Sequence, residues 1–139
     1  MEQLLLAVDL MHRSEVLHRD IKPDNILVLN KKHLKVCFAD LGLSCKTTDT
    51  RRIKQKCGTP GYVDPDVLRG KRFSPKSDVF SLGSLLFNLI TIKMLFQGNT
   101  PLEILHSNKY VNAQTYIDET CSCVSEQCRD LLKMMISPR

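Results

Sequence analysis

Apolar residues at the start of the chain recur at helical spacing. Leu4, Leu5, Val8 and Met11 line one stripe, widened by Leu6, Ala7 and Leu10, so residues 1–13 predict an amphipathic helix. The rhythm then changes. Ile26-Leu27-Val28-Leu29 and Leu34-Lys35-Val36-Cys37-Phe38 are short β-rich runs, and the polar Asn30-Lys31-Lys32-His33 between them predicts a hairpin. Antiparallel strands return the chain to its starting edge, so Asn25 and Asp40, which flank the pair, come to one open end. Residues 43–62 are polar, with Thr47, Thr48, Thr50, a basic stretch and then Gly58-Thr59-Pro60-Gly61. They predict a long mobile loop ending in a turn-rich anchor, and loops of that length are usually functional.

Beyond the loop the pattern is helical. Asp64 or its neighbours open a short helix through Leu68. Ser77-Asp78 is expected to cap a helix over 78–92, where Val79, Leu82, Leu85, Leu86, Leu89 and Ile90 cover most faces. A helix that apolar belongs at the centre of a core. Thr100-Pro101 starts a short amphipathic helix over 101–109, and Ser125 caps a last one from 126 to about 136. The fold class is mainly α, with one small hairpin and no internal repeat.

Composition narrows the classes. A chain of 139 residues suits one domain and buries about two thirds of its unfolded surface. Its 42% hydrophobic and 25% charged content is that of a soluble globular protein. The net charge of +5 is spread over small clusters: Lys31-Lys32, Arg51-Arg52, Lys54, Lys56 and Lys71-Arg72. No aromatics interleave with them, so no nucleic-acid partner is expected. Residues 1–8 are too short for a signal peptide or span and carry Glu2, and no apolar run approaches membrane length, so no membrane partner is expected. Six cysteines, Cys121, Cys123 and Cys128 above all, invite a disulfide or zinc reading. Paired Cys-x-x-Cys knuckles are missing and only His106 lies near, so reduced thiols in a cytoplasmic or nuclear protein are expected.

The chemistry concentrates in two short motifs. His18-Arg19-Asp20-Ile21-Lys22-Pro23-Asp24-Asn25 is followed, fifteen residues after Asn25, by Asp40-Leu41-Gly42. Asp20 is an acid able to take a hydroxyl proton, and Lys22 is a cation two residues on. Asn25 and Asp40 are a carboxamide and a carboxylate able to share metal ions, so together these groups suit phosphoryl transfer. The octet resembles the catalytic loop of eukaryotic protein kinases, and Asp-Leu-Gly resembles their metal-binding Asp-Phe-Gly.

The resemblance covers the whole chain as a partial kinase domain over 1–139: catalytic loop 18–25, metal-binding Asp40–Gly42 and activation segment 40–66. It implies a kinase C-lobe, a helical bundle with a small hairpin, with ATP and Mg²⁺ as cofactors and proteins as substrates. Asp20 sits where the family places its catalytic base. Lys22 is where it steadies the transferred phosphoryl, and Asn25 and Asp40 match the metal-binding pair. Leu27 lies where the family floors the adenine ring. Gly58-Thr59-Pro60-Gly61-Tyr62-Val63 resembles the substrate-docking end of the activation segment. Thr59 there implies a hydroxyl bonded to Asp20 and Lys22, and Thr59 and Lys22 together imply the Ser/Thr branch. Asp78-Val79-Phe80-Ser81-Leu82-Gly83 resembles the start of the family's central helix. Asp78 would accept hydrogen bonds from the backbone around His18 and Arg19, or serve as an N-cap. Leu85 and Leu89 would lie beneath the adenine site.

Arg19 implies switching by activation-loop phosphorylation, by an activating kinase as partner. The usual acceptor position, four residues before Thr59, is Gln55, which leaves Thr47, Thr48 and Thr50 as candidates, or as plain solvated loop threonines. Two departures stand out. Leu41 replaces the family's Phe, which implies weaker packing beneath the N-lobe. Asp64-Pro65-Asp66 replaces Ala-Pro-Glu, and the Arg that the family pairs with this acid would fall just beyond Arg139. No Gly-rich phosphate loop or strand Lys precedes the catalytic loop, so the N-lobe is absent. A fragment of a longer kinase is therefore expected, the alternative being a short non-catalytic binding module or decoy.

Overall fold

A computed structural model of the chain describes residues 1–122 and 124–137. Helix α1 (Glu2–Arg13) buries Leu4 and Val8, one helical turn apart. It leads into strand β1 (Val16–Leu17), the loop over residues 18–25 and a hairpin of β2 (Ile26–Asn30) and β3 (Lys35–Phe38). The hairpin is antiparallel with Ile26 opposite Phe38 and Val28 opposite Val36. The Ala39 amide donates to the Asn25 carbonyl at 2.8 Å. That bond closes the open end and sets Asp40 one residue from Asn25's partner. Gln3 of α1 grips the outer strand, donating to the Leu34 carbonyl and accepting from the Val36 amide.

Residues 43–62 depart from the expected unstructured loop. Strand β4 (Cys45–Lys46) pairs antiparallel with β1, and a single 3-10 turn over Arg52–Lys54 tucks Ile53 inward. Ile53, Leu17, Cys45, Val63, Val67 and Phe73 form a second apolar cluster that anchors the segment. Burial of those side chains explains the order: the polar residues between them stay outside while the apolar ones supply the attachment.

Helix α2 (Pro65–Leu68) is capped by Asp64, whose carboxylate accepts from the Asp66 amide at 2.8 Å. The central helix α3 (Pro75–Thr91) begins earlier than expected. Ser74 is its N-cap and Pro75 its first residue, so Ser77 and Asp78 lie within the first turns and Asp78 is no cap. The Ser74 amide instead donates to Ser77 Oγ. Phe80, Leu82, Leu85, Leu86 and Phe87 of α3 are buried, and truncating a side chain such as Phe87 to Ala costs about 3–5 kcal/mol. Leu89 breaks the expectation, being 59% exposed on the last turn.

Helix α4 (Pro101–Tyr110) is capped by Thr100, and α6 (Glu126–Ile136) by Ser125, both as expected. Between them lies α5 (Ala113–Thr120), capped by Asn112, which the apolar pattern did not announce. Helix α6 packs closely on α3. A Cβ on Gly83 would stand 2.8 Å from Ile136 Cγ2 and 2.9 Å from Met135 Cβ, so glycine permits the approach. No helix among the described residues is long and apolar enough to cross a membrane. Cys121 is a buried thiol and Cys128 a half-buried one, whereas Cys123 lies outside the described residues.

Candidate active site

The loop over residues 18–25 hangs from one buried carboxylate. Asp78, 1% exposed, accepts from the His18 amide at Oδ2 and from the Arg19 amide at Oδ1, each at 2.9 Å. His12 adds a third bond, its Nε2 standing 2.9 Å from Asp78 Oδ2. So α1, the loop and α3 meet at a single side chain. Arg19, next in line, holds a left-handed backbone with φ of 72°, a strain that tertiary bonds must hold in place.

This anchorage presents Asp20 to the open side. Its Oδ1 accepts from Thr59 Oγ1 at 2.7 Å and its Oδ2 from Asn25 Nδ2 at 3.1 Å. Lys22 Nζ lies 3.2 Å from Asp20 Oδ2 and donates to Thr59 Oγ1 at 3.0 Å. Asp20, Lys22, Asn25 and Thr59 are thus brought into one network, although Thr59 is 39 residues from Asp20. Asn25 Nδ2 also donates to the Asp20 carbonyl, which leaves its amide oxygen outside these bonds. Asp40, across the hairpin end, is exposed and accepts from the Gly42 amide at 2.8 Å. Asn25 Oδ1, on a buried side chain, and the exposed Asp40 carboxylate are the oxygen groups here that could hold a Mg²⁺ keeping several of its waters.

His18 is buried beneath the loop, edge-on to Phe38 with ring centroids 4.8 Å apart. Burial lowers its pKa below the ordinary 6.5, against the opposing pull of Asp78, Asp20 and Asp40. Burial thus favours the neutral ring beneath the loop. Leu27 and Leu41 are 50% and 58% exposed at the hairpin end. Leu85 is buried in α3, whereas Leu89 is exposed.

Arg19 points into the 43–62 segment. Its Nη2 contacts the Cys57 thiol at 2.7 Å and the Gln55 carbonyl at 3.5 Å, and the guanidinium lies over the Phe73 ring at 4.8 Å. Nε and Nη1 are buried without a partner among the described residues. Burial pushes the Cys57 thiol up, outweighing the lowering effect of Arg19. Of the threonine candidates, Thr48 and Thr50 are exposed and Thr47 is held by its amide to the Glu15 carbonyl. Asp66 finds cations close by: Lys71 Nζ at 3.0 Å and Arg69 Nη1 at 3.5 Å.

His12 and Ser84 were not singled out by the motifs, and Ser81 only as a member of one, yet signals existed. His12 continues the buried Leu4–Val8 stripe by four residues, and the two serines interrupt an otherwise apolar helix. Ser81 Oγ donates to the Tyr62 carbonyl at 2.8 Å and Ser84 Oγ to the Gly61 carbonyl at 2.7 Å.

The family model for the protein kinase domain matches residues 1–139. The chain belongs to the protein kinase family. It is similar to Calcium-dependent protein kinase 4 of Plasmodium falciparum, 34% identical over 97% of this chain and 26% of that protein. It is also similar to Myosin light chain kinase A of Dictyostelium discoideum, 31% identical over 97% of this chain and 46% of that protein. Serine/threonine-protein kinase ATG1a of Arabidopsis thaliana is 28% identical over 98% of this chain and 22% of its own length. The chain therefore spans less than half the length of these kinases.

Proposed function

We propose that this chain carries the catalytic loop and substrate-docking segment of a kinase that transfers the γ-phosphoryl of ATP to Ser or Thr hydroxyls of proteins. The observation that supports it best is the triangle of Asp20, Lys22 and Thr59. A carboxylate with two oxygens held by defined donors is an oriented acceptor for a hydroxyl proton. Lys22 sets a fixed positive charge beside it, where charge on a transferring phosphoryl is neutralised. Thr59 ties the docking segment to the base, so the hydroxyl of a seated substrate is presented at the carboxylate.

Asn25 Oδ1 and the Asp40 carboxylate are the groups that would hold Mg²⁺, which supplies charge neutralisation on the phosphates when bound. Leu27 offers an apolar surface for the adenine ring. Asp78, with His18 and Arg19, keeps the loop in place. Arg19, with donors unmet, is suited to a phosphate on the activation segment, and Thr47, Thr48 and Thr50 are the candidate acceptors for an activating kinase. A cytoplasmic or nuclear setting is where scattered cysteines of this kind stay reduced.

The test joins this chain to an N-terminal kinase lobe and follows labelled γ-phosphate onto a generic protein substrate. Phosphoserine or phosphothreonine that disappears with Asp20→Asn supports the proposal. A fully active Asp20→Asn protein would count against it. The non-catalytic alternative gains if the joined domain binds ATP and protein substrate but transfers nothing.

A further inference from the structure

The docking segment is held by an unusual side chain. Asn108, on α4, is 0% exposed, and its Oδ1 accepts from the Gly61 amide at 3.1 Å across 47 residues of sequence. Its Nδ2 has no partner among the described residues. An unmet donor in a dry interior is costly, and Leu would fill a similar volume without it. What the amide provides, and Leu would not, is one acceptor aimed at one backbone group.

That group belongs to a residue fixed on every side. The Gly61 carbonyl accepts from Ser84 Oγ at 2.7 Å and the Tyr62 carbonyl from Ser81 Oγ at 2.8 Å. Gly61 has φ of 87°, and a Cβ there would lie 2.5 Å from Met94 Cε and 3.4 Å from Ile104 Cγ2. No side chain of its own can anchor this point, so the hydrogen bonds from α3 and α4 set its position. Thr59, two residues back, touches Asp20. Two residues of chain span at most about 7 Å, so a shift at Gly61 reaches the mouth of the site directly.

We propose that Asn108 is a positioning residue for the protein substrate, acting through the Gly61 amide on the segment against which the substrate lies. The inference rests on the kinase reading of the same site. It concerns the protein substrate and not the nucleotide, because Leu27, Asn25 and Asp40 belong to the hairpin end, which α4 does not carry.

The experiment is Asn108→Leu in the complete kinase domain, this chain joined to an N-terminal lobe. KM for a protein substrate is expected to rise about tenfold, with KM for ATP within about twofold of the parent. In the same variant, the Gly61 amide should lose hydrogen-exchange protection while the hairpin amides keep theirs. Ser84→Ala, which removes the bond to the Gly61 carbonyl, should move KM in the same direction and serves if Asn108→Leu does not fold. A Gly61 amide freed with no change in protein-substrate KM overturns the inference alone. So does an equal rise in both KM values, which marks general damage. If the unsubstituted domain transfers no phosphate, the kinase reading falls and this role falls with it.

Discussion

Thr59 Oγ1 donates to Asp20 Oδ1 at 2.7 Å while accepting from Lys22 Nζ at 3.0 Å. One hydroxyl therefore sets both the orientation of the acid and the place of the cation, and it comes from a segment whose backbone is held separately by α3. Thr59→Val keeps the shape and removes both bonds. Loss of a charge-assisted hydrogen bond of this kind is worth roughly 1.5–3 kcal/mol, or about 10- to 100-fold. Turnover on Ser and Thr should fall by that order in the complete domain, with ATP affinity unmoved by titration.

Asp78→Ala should be the most disruptive single change near the loop. It removes the acceptor for the His18 and Arg19 amides and for His12, leaving buried donors unmet. The expected loss is roughly 2–4 kcal/mol, read as a lower urea midpoint. A midpoint within experimental error of the parent would show that the loop does not depend on this carboxylate.

His18 gives a pH signature. Burial lowers its folded pKa below 6.5, so folding favours the neutral ring. Its stabilising contribution is complete above the unfolded value. As pH falls through 6.5 the unfolded state takes up the proton first, and stability declines until the folded pKa is passed. His18→Gln should flatten that part of the stability curve between pH 7.5 and 5. An unchanged slope would place the dependence on other groups.

The hairpin end should make residues 1–139 associate when studied alone. Leu27 and Leu41 at the open end, and Val28, Leu29 and Leu34 toward the turn, are all at least half exposed, and exposed apolar surface of this kind favours association. Sedimentation at tens of micromolar should show self-association, reduced by Leu27→Lys with Leu41→Lys. A sharp monomer with no binding of a hydrophobic dye would contradict this.

Much of the fold was legible because its elements carry strong periodicity or clear caps. The α1 stripe, the β2–β3 hairpin, Thr100 and Ser125 each state their element locally. The errors have physical causes. Ser74-Pro75 and Ser77-Asp78 are both good starts, and the proline at the first helical position decided for the earlier one. Leu89 fits the apolar rhythm of α3, but periodicity names a face without saying whether anything covers it. Helix α5 is eight residues long, with only Ala113 and Ile117 buried, too brief to announce itself. The order in residues 43–62 comes from Cys45 and Ile53 reaching a cluster built by distant residues, which no local pattern reveals. At the site, the motif residues were readable one by one. The reach of Asn108 to Gly61 and of His12 to Asp78 was not, because each depends on helices meeting in space.

Within that site, Asp40→Asn removes a charged oxygen from the proposed metal pair, so it should weaken Mg²⁺ and nucleotide binding together. Asp20→Asn should leave binding in place and lower turnover. The two carboxylates are thus separable by titration in the complete domain, since one faces the hairpin edge and the other the Thr59–Lys22 pair. Equal effects of both substitutions on nucleotide affinity would argue against the division of roles.

The most direct measurement is single-turnover transfer of the γ-phosphoryl by the complete domain carrying Asp20→Asn, with ATP affinity determined in parallel. A positioned base contributes about 10²–10⁴-fold, so the rate should drop by roughly a hundredfold or more while ATP still binds as in the parent. A rate equal to the parent's would contradict the assignment of this loop to phosphoryl transfer.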